Sequence, residues 1–216
     1  MEEPKRRPDS AELLPFICGV DEAGRGPLAG PVVAAAVVLS SKVDDLMLDD
    51  SKRMQAAARE QAAAAIRARG CAIGLGWVWP REIDAINIHR ASLLAMARAV
   101  RDLRRRHRDQ IIQQIRVDGR FCPPPDQDGP PCVAIIGGDH LEPPIMAASI
   151  IAKVTRDRWI RDYDTQDPRY GLAGHKGYPT PAHREALRRH GPCPQHRLSF
   201  RGVAPPPRGD QPSSEL

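Results

Sequence analysis

Aromatic residues and long apolar runs are scarce in this sequence. Its 216 residues include only three each of Trp, Tyr and Phe, so alanine and aliphatic side chains must build the core. The longest uncharged apolar stretch, residues 27–39, is shorter than the about 20 residues that a membrane-spanning helix needs. The N-terminus has no apolar segment of the kind found in secretory signals. We therefore expect a cytoplasmic protein that does not interact with membranes.

Cysteine pairs with the spacing of metal ligands are also absent. The five cysteines are odd in number and include no C-x-x-C pair, which argues against a disulfide framework and against a thiolate zinc site. Reduced thiols are the expected state. Basic residues outnumber acidic ones by 32 to 27, and the resulting net charge of +5 favours a polyanionic partner.

The organisation along the chain indicates one main domain, which we place at residues 14–203, with a small helical region from about residue 165. Residues 1–13 are charged and residues 204–216 are rich in proline, so both ends are predicted to be tails without a core. No internal repeat and no long linker divides the domain. A monomer is expected.

Strand and helix patterns alternate through the domain after an initial pair of strands. Apolar or alternating runs predict strands at 15–20, 31–39, 71–79, 110–117 and 132–136. Helical spacing predicts helices at about 52–69, 80–108 and 144–163, and a last one from Thr180 to Gly191; Ser51 is the predicted N-cap of the first. The predicted fold class is α/β, a mixed central sheet flanked by helices.

Carboxylates follow three of these strands: Asp21 with Glu22, then Asp118, then Asp139. Strand ends of an α/β sheet are common places for ligand sites. If the strands are neighbours, the four carboxylates converge and need cations to neutralise them. Oxygen ligands suit Mg²⁺ or Mn²⁺, and two such ions about 4 Å apart would activate water and stabilise the leaving oxygen of a phosphodiester. A single aspartate at a strand end is often only a turn former.

A glycine-rich turn follows the first carboxylate pair directly. Gly24, Arg25 and Gly26 place exposed main-chain groups beside the carboxylates, and the glycines allow a ligand backbone to come close. A G-x-G sequence alone is weak evidence. Its position after Asp21 and Glu22 makes it informative.

Seven segments of the chain together resemble bacterial ribonuclease HII, of the type 2 ribonuclease H family. They are DEAGRGPLAGPVVAAAVVL at 21–39, DDSK at 49–52, VDG at 117–119, GGD at 137–139, AASIIAKVTRD at 147–157, YGLAGHKGYPT at 170–180 and HRLSF at 196–200. The resemblance runs in order from about residue 16 to residue 203. Several motifs at consistent spacing make it highly specific.

The resemblance implies an RNase H-like fold and an endonuclease that hydrolyses the RNA strand of RNA–DNA hybrids. It also implies incision 5′ of ribonucleotides embedded in duplex DNA, which leaves a 3′-hydroxyl and a 5′-phosphate. The implied cofactor is Mg²⁺ or Mn²⁺, with two ions in the catalytic complex. The implied metal-binding and catalytic residues are Asp21, Glu22, Asp118 and Asp139.

The same resemblance assigns residues to substrate binding. Gly24, Arg25 and Gly26 would recognise the 2′-hydroxyl at an RNA-to-DNA junction, and Tyr178 would stack on the following deoxyribose. The remaining positions expected to contact substrate, the lysines through phosphates, are Ser51, Lys52, Lys153, His175 and Lys176. Asp157 lies one helical turn after Lys153 and is expected to pair with it; it is the reserve candidate for the fourth carboxylate.

Some features depart from the family pattern or have two interpretations. Gly138 stands where related sequences often carry lysine, the loop at 122–131 is unusually rich in proline, and the tail after residue 203 shows no clamp-binding motif. Arginines at 98–108 form either a duplex-binding ridge or, as we slightly favour, a solvated helix end. The histidines near the C-terminus lack metal-ligand spacing and are expected at the surface or in loops: His175, His183, His190 and His196.

Two other functions remain open from the sequence. One is a different two-metal nuclease with an RNase H fold, against which the Gly24–Gly26 turn and Tyr178 argue. The other is a non-catalytic hybrid-binding protein, whose signature would be a lost carboxylate. None is lost in this chain.

Overall fold

A five-stranded mixed sheet forms the centre of the protein. The computed structural model describes residues 16–40, 55–125 and 129–203. The strands lie in the order β3-β2-β1-β4-β5. β1 is antiparallel to β2, and β2 to β3, whereas β4 is parallel to β1 and to β5. Their bounds are β1 Ile17–Ala23, β2 Val32–Val38, β3 Ala72–Val78, β4 Gln114–Asp118 and β5 Cys132–Ile135. The predicted mixed sheet is confirmed.

Helices cover both faces of this sheet, as the α/β prediction requires. In chain order they are α1 Ala56–Ala68, α2 Pro80–Ile86, α3 Ile88–Arg106, α4 Gly138–Leu141, α5 Pro143–Gln166, α6 Leu172–His175 and α7 Pro181–His190, with a 3₁₀ turn at Pro168–Tyr170. Within the described ranges, none of them combines the length and the apolar character needed to cross a membrane. The cap predicted at Ser51 lies outside the described residues.

The two faces of the sheet carry separate cores. Every residue of β2 is buried, because helices pack on both of its sides. Val32, Ala34 and Ala36 belong to the core under α3, and Ala35 and Val37 to the core under α5 and α1. The alanine-rich composition therefore serves a central strand that is covered twice.

In β3 the small side chains face the fully buried side of the strand. A Cβ on Gly74 would lie 2.2 Å from the carbonyl oxygen of Ala99, and one on Gly76 would lie 1.9 Å from that of Ala95. The bulky residues, including Trp77, face the half-buried side. Glycine is required here so that α3 can pack directly against the strand backbone.

The prediction of a single helix at 80–108 is wrong, because the helix is interrupted at Asn87. Asn87 has a positive φ of 67° with a ψ of 163°, and its side chain accepts a hydrogen bond from the N–H of Arg90 at 3.1 Å. Asparagine is a favoured N-cap. It ends α2 and begins α3 at a new angle.

The C-terminal region packs against the loop that follows β1. A third apolar cluster joins Leu28 and Ala29 of that loop to Tyr170, Leu172 and Leu187. An antiparallel bridge pairs Ala29 with His196, and the N–H of Leu28 donates to the carbonyl of Gly177 at 2.8 Å. The small helical region is thus part of the same body as the sheet.

Of the histidines expected at the surface or in loops, His183 lies in α7 and His196 in a loop, and both are buried inside this region. His183 is 0% and His196 is 2% exposed. Their Nε2 atoms lie 3.1 Å apart, and His183 Nδ1 lies 3.0 Å from the carbonyl oxygen of Tyr178. The expected surface position was wrong because the two rings meet across the tertiary fold, which spacing along the chain does not reveal.

Candidate active site

Three aspartates from three elements converge at one edge of the sheet. Asp21 lies within β1 and not after it, as the sequence had suggested, and Asp118 is the last residue of the neighbouring parallel strand β4. Val20 pairs with Val117, so the two aspartates that follow are adjacent. Asp139 comes from the short helix α4 after β5. Ligand oxygens of the three carboxylates all lie within 4.8 Å of one another.

The approach of Asp139 depends on tight packing where α4 meets α5. A Cβ on Gly138 would lie 2.5 Å from the Cδ1 atom of Ile145, which is fully buried. The glycine at this position therefore lets α4 turn closely over α5. Asp139 itself is 2% exposed, and His140 Nε2 lies 3.5 Å from its Oδ1 atom.

Glu22 is not one of the three carboxylates whose oxygens lie within 4.8 Å of one another. It lies on the other face of β1, because adjacent residues of a strand point in opposite directions. It lines two neighbouring cavities, of about 300 and 280 Å³, that share Glu22, Arg25 and Asp118. Arg25 donates from its NH1 atom to Glu22 Oε1 at 3.2 Å. Glu22 thus stands between the aspartates and the exposed guanidinium.

Burial and mutual repulsion make these carboxylates hard to ionise together. Burial raises the pKa of Asp21 well above its usual value, and the charges of Glu22 and Asp118 raise it further, while a hydrogen bond from Ser149 opposes the rise. Burial and Asp118 likewise raise the pKa of Glu22 against the attraction of Arg25. A site made only of carboxylate oxygens suits hard divalent cations, whose charge would relieve this repulsion.

The glycine turn and Tyr178 face each other at the mouth of the larger cavity. Gly24 has a φ of 95°, a conformation that side chains disfavour, and both glycines line the cavity with Tyr178. A Cβ on Gly26 would lie 3.4 Å from Tyr178 Cε1. The Tyr178 ring is 42% exposed, and the ammonium of Lys153 lies 5.9 Å from its centroid.

The other residues predicted to bind substrate occupy different positions. Lys153 lines the cavity and donates to Asp157 Oδ1 at 3.0 Å, the local pair expected for Asp157. His175 is turned toward the Tyr170 carbonyl, at 3.0 Å, and Lys176 folds back onto the carbonyl of Ala173. Neither of these two lines the carboxylate cavity. Ser51 and Lys52 lie outside the described residues.

Sequence reasoning missed several residues of the site. Ser149, 4% exposed, hydrogen-bonds Asp21 from the start of α5, and His140 contacts Asp139. His89 packs edge-on against Phe121, with centroids 5.0 Å apart, in the second cavity. The signal of Ser149 in the sequence was its place in the segment 147–157 that resembles the family. The two histidines had none.

Comparison with known proteins agrees with this geometry. The family model described as Ribonuclease HII matches residues 18–203. The chain is 49% identical to the ribonuclease HII of Nitratidesulfovibrio vulgaris, over 96% of both chains. The crystal structure of ribonuclease H2 from Pyrococcus horikoshii OT3 superposes with a TM-score of 0.73 at 27% identity, covering 87% of this chain and 94% of that one.

A structure of Bst-RNase HIII in complex with Mn²⁺ has the same fold, with a TM-score of 0.68 at 17% identity over 94% of this chain and 73% of that one. The RNase H-like architecture predicted from the sequence is confirmed. From the extent of the sequence match and the fold, the chain belongs to the ribonuclease HII family and is a divalent-metal-dependent ribonuclease H, an endonuclease that acts on RNA–DNA hybrids.

Proposed function

We propose that this chain cleaves phosphodiesters by a two-metal mechanism and that it also incises 5′ of single ribonucleotides embedded in duplex DNA. The products would carry a 3′-hydroxyl and a 5′-phosphate. The observation that carries the proposal is the convergence of Asp21, Asp118 and Asp139, with ligand oxygens within 4.8 Å of one another. Glu22 lines a cavity with Asp21 and Asp118 and would supply the fourth carboxylate.

The donor set fits Mg²⁺ or Mn²⁺. All four side chains offer carboxylate oxygens, which these ions prefer, and the Mn²⁺ bound by Bst-RNase HIII on the same fold supports this choice. When bound, such ions provide Lewis-acid stabilisation of charge and a nucleophilic water at neutral pH. The protein's part is to hold the carboxylates in place: Ser149 fixes Asp21, and Arg25 fixes Glu22.

The substrate would be recognised by the Gly24–Gly26 turn and the Tyr178 ring, which line a cavity with Asp21, Glu22 and Asp118. RNA and DNA differ at the 2′-hydroxyl, which both donates and accepts hydrogen bonds. The turn of Gly24, Arg25 and Gly26 offers main-chain groups beside the acidic group, and Tyr178 presents an exposed ring opposite Gly26. A ribose would lie against the turn and the next, deoxy sugar against the ring. Lys153, next to Tyr178, would contact a phosphate.

Three labelled duplexes test the proposal: all-DNA, DNA with one ribonucleotide, and an RNA–DNA hybrid. Each is incubated with Mg²⁺, Mn²⁺ or EDTA, and product ends are identified by phosphatase treatment and ligation. We expect cleavage of the second and third duplexes with either metal and none in EDTA. Cleavage of the all-DNA duplex, or failure on the single ribonucleotide, would contradict the proposed specificity.

A further inference from the structure

Two fully buried arginines lie directly behind the glycine turn. Arg156 and Arg197 are both 0% exposed. Burying a guanidinium is costly unless its donors are hydrogen-bonded. Both side chains donate hydrogen bonds to main-chain carbonyls of the loop that follows β1. Asp157 Oδ1 also lies 3.9 Å from the NH1 atom of Arg156.

Arg197 contacts both ends of that loop. Its NH2 atom donates to the carbonyl of Gly24 at 2.6 Å and its NH1 atom to that of Arg25 at 2.9 Å. Nε and NH2 both donate to the carbonyl of Gly30, at 3.0 and 2.8 Å. A planar fork with five donors can hold three carbonyls in fixed directions, which a lysine ammonium cannot do.

Arg197 is itself held in place from two sides. Its N–H donates to the carbonyl of Leu28 at 2.9 Å. The next two residues are anchored to α2, because Asp84 accepts hydrogen bonds from the N–H groups of Leu198 and Ser199, each at 2.9 Å. The guanidinium also lies 5.0 Å from the centroid of the Phe200 ring. The fork therefore has a rigid support.

Arg156 joins the same loop to the segment that carries Tyr178. It donates to the carbonyls of Ala29 and Pro31, each at 3.0 Å, and to that of Lys176 at 3.1 Å. Its side chain fills the space behind Gly24, where a Cβ would lie 2.1 Å from Nε. The turn and the tyrosine are thus fixed to each other through buried arginines.

We infer that Arg197 is a positioning residue for ribose recognition: by holding the carbonyls of Gly24 and Arg25, it fixes the conformation in which the turn presents its main-chain groups to the 2′-hydroxyl. This inference rests on the proposed function of the turn. Arg197 is buried and touches no substrate. Its loss would loosen the turn, so it would reduce discrimination between ribose and deoxyribose more than it reduces affinity for duplexes in general.

The test measures binding without cleavage, in an Asp139→Asn background with Mg²⁺. The readout is the affinity for a DNA duplex with one ribonucleotide divided by the affinity for the same all-DNA duplex. With Arg197 intact, we expect this ratio to favour the ribonucleotide. Arg197→Lys keeps the charge but loses the fork, and we expect the ratio to fall at least about fivefold with little change in all-DNA affinity. In the cleaving enzyme, the same change should lower kcat on the single-ribonucleotide duplex by at least about tenfold.

A matched control separates positioning from general destabilisation. Leu187→Ala removes a buried side chain of the same C-terminal cluster without touching the turn. It should lower the melting temperature and preserve the ratio. An equal fall of the ratio in Leu187→Ala, or an unchanged ratio in Arg197→Lys, would overturn the inference.

If Arg197→Lys does not fold, Asp84→Ala gives a second test through the support of Arg197. Asp84 caps the Leu198–Ser199 segment from outside the core, so its removal should lower the ratio by a smaller factor. An unchanged ratio in this variant would then count against the inference. Equal binding of the two duplexes by the parent protein would instead overturn the proposed role of the turn itself.

Discussion

At the scale of single residues, the carboxylates of Asp21, Asp118 and Asp139 repel one another, because their ligand oxygens lie within 4.8 Å of one another. We predict that Asp139→Asn lowers cleavage of an RNA–DNA hybrid by at least about 1,000-fold, since each metal ligand in the site also orients the reacting groups. Removing one of the three charges should leave the melting temperature in EDTA unchanged or higher. Activity and melting are measured on the same preparation.

Asp157→Asn is the matched control for this prediction. Asp157 pairs with Lys153 and is also an aspartate with little exposure, but it lies outside the group of three. We expect it to retain activity within about tenfold, because its ion-pair partners are Lys153 and Arg156 and not the carboxylate group. The reverse result, with Asp139→Asn active and Asp157→Asn inactive, would move the fourth carboxylate to Asp157.

The exposed ring of Tyr178 carries a second prediction at this scale. Tyr178→Ala should reduce kcat/KM on a single embedded ribonucleotide much more than on a continuous hybrid, because only the first substrate has a deoxyribose after the ribose. A lost stacking contact is worth about 1–3 kcal/mol, which corresponds to more than about tenfold at the upper half of that range. Tyr178→Phe, which keeps the ring, is expected to behave like the unaltered protein. If both substrates lose activity by the same factor, Tyr178 only supports the structure.

At the scale of elements, the contact between β3 and α3 has no spare room. Gly76→Ala would place a Cβ 1.9 Å from the Ala95 carbonyl oxygen, so strand and helix must separate. We predict that the free energy of unfolding falls by about 1–3 kcal/mol or more. Gly174→Ala is the control, because a Cβ there meets nothing within 4 Å and should be neutral or slightly stabilising. If Gly76→Ala leaves the free energy of unfolding unchanged, α3 packs further from the sheet than the structure shows.

The buried histidine pair makes the C-terminal region sensitive to acid. The Cys193 N–H donates to His196 Nδ1, so the proton of the His196 ring is on Nε2. His196 Nε2 then donates to His183 Nε2. The proton of the His183 ring is therefore on Nδ1, which donates to the Tyr178 carbonyl. Burial and His183 lower the pKa of His196 to about 4, and burial lowers the pKa of His183. Added protons would place two N–H groups against each other.

Both rings are therefore neutral when folded and take up protons more readily when unfolded, where their pKa is about 6.5. Their stabilising contribution is complete above that pH and is lost as the pH falls toward 4, at about 1.4 kcal/mol per pH unit for each proton. We predict that the melting temperature in EDTA declines less steeply from pH 7 to pH 5 in His196→Gln than in the unaltered protein. Parallel declines would exclude the pair as the cause.

The unaltered protein must be compared with His196→Gln because other groups also titrate between pH 7 and pH 5. The raised pKa values of Asp21 and Glu22 stabilise the folded state as the pH falls, which is the opposite sign. These groups are common to both proteins and cancel in the difference. The groups that face the pair are also unchanged; they are His175 stacked on His183, Tyr170 against His196, Cys193, Asp167 and Arg184.

On the scale of the whole molecule, positive charge gathers far from the carboxylates. A cleft of about 750 Å³ at the end of α3 is lined by Arg101, Arg104, Arg105 and Arg108. His89, near the start of α3, lines the cavity with Glu22, and 19 residues of helix separate the two ends by roughly 28 Å. Arg105 also pairs with Asp102 at 2.8 Å. These contacts favour the interpretation as a solvated helix end.

We predict that duplex affinity falls with salt by about 0.9 logarithmic units per contacted phosphate for each tenfold rise in salt. Arg104→Ala combined with Arg105→Ala should leave this slope unchanged. Lys153→Ala, at the cavity, should reduce it by about one phosphate contact. A smaller slope in the double arginine variant would establish the cleft as part of the duplex-binding surface.

The sequence predicted much of the architecture because periodicity is a local property. The alternation in β3, the apolar run of β2 and the cap at Thr180, whose side chain accepts from the His183 N–H, are all read from neighbouring residues. The break between α2 and α3 at Asn87 was not predicted, since the apolar spacing continues across it. A residue with a positive φ looks like any other residue in a periodic pattern.

The acidic site was predicted from strand ends and motif resemblance, but its surroundings were not. Asp21, Asp118 and Asp139 meet because β1 and β4 are parallel neighbours and α4 follows β5, and all three lie close to their predicted ends of strands. Ser149 and His140 come from other elements, so nothing in their local sequence marks them as neighbours of these aspartates.

What the sequence determined by itself is the class of protein, the mixed sheet and the three aspartates that meet at its edge, because residue type and order along the chain carry that information. What only the tertiary structure decided is how the recognition turn is held. Arg197 reaches Gly24 from 173 positions away, and His183 and His196 satisfy each other inside a core. Such contacts exist only after distant segments pack together, since hydrogen-bond partners of buried polar groups are chosen by the fold and not by spacing.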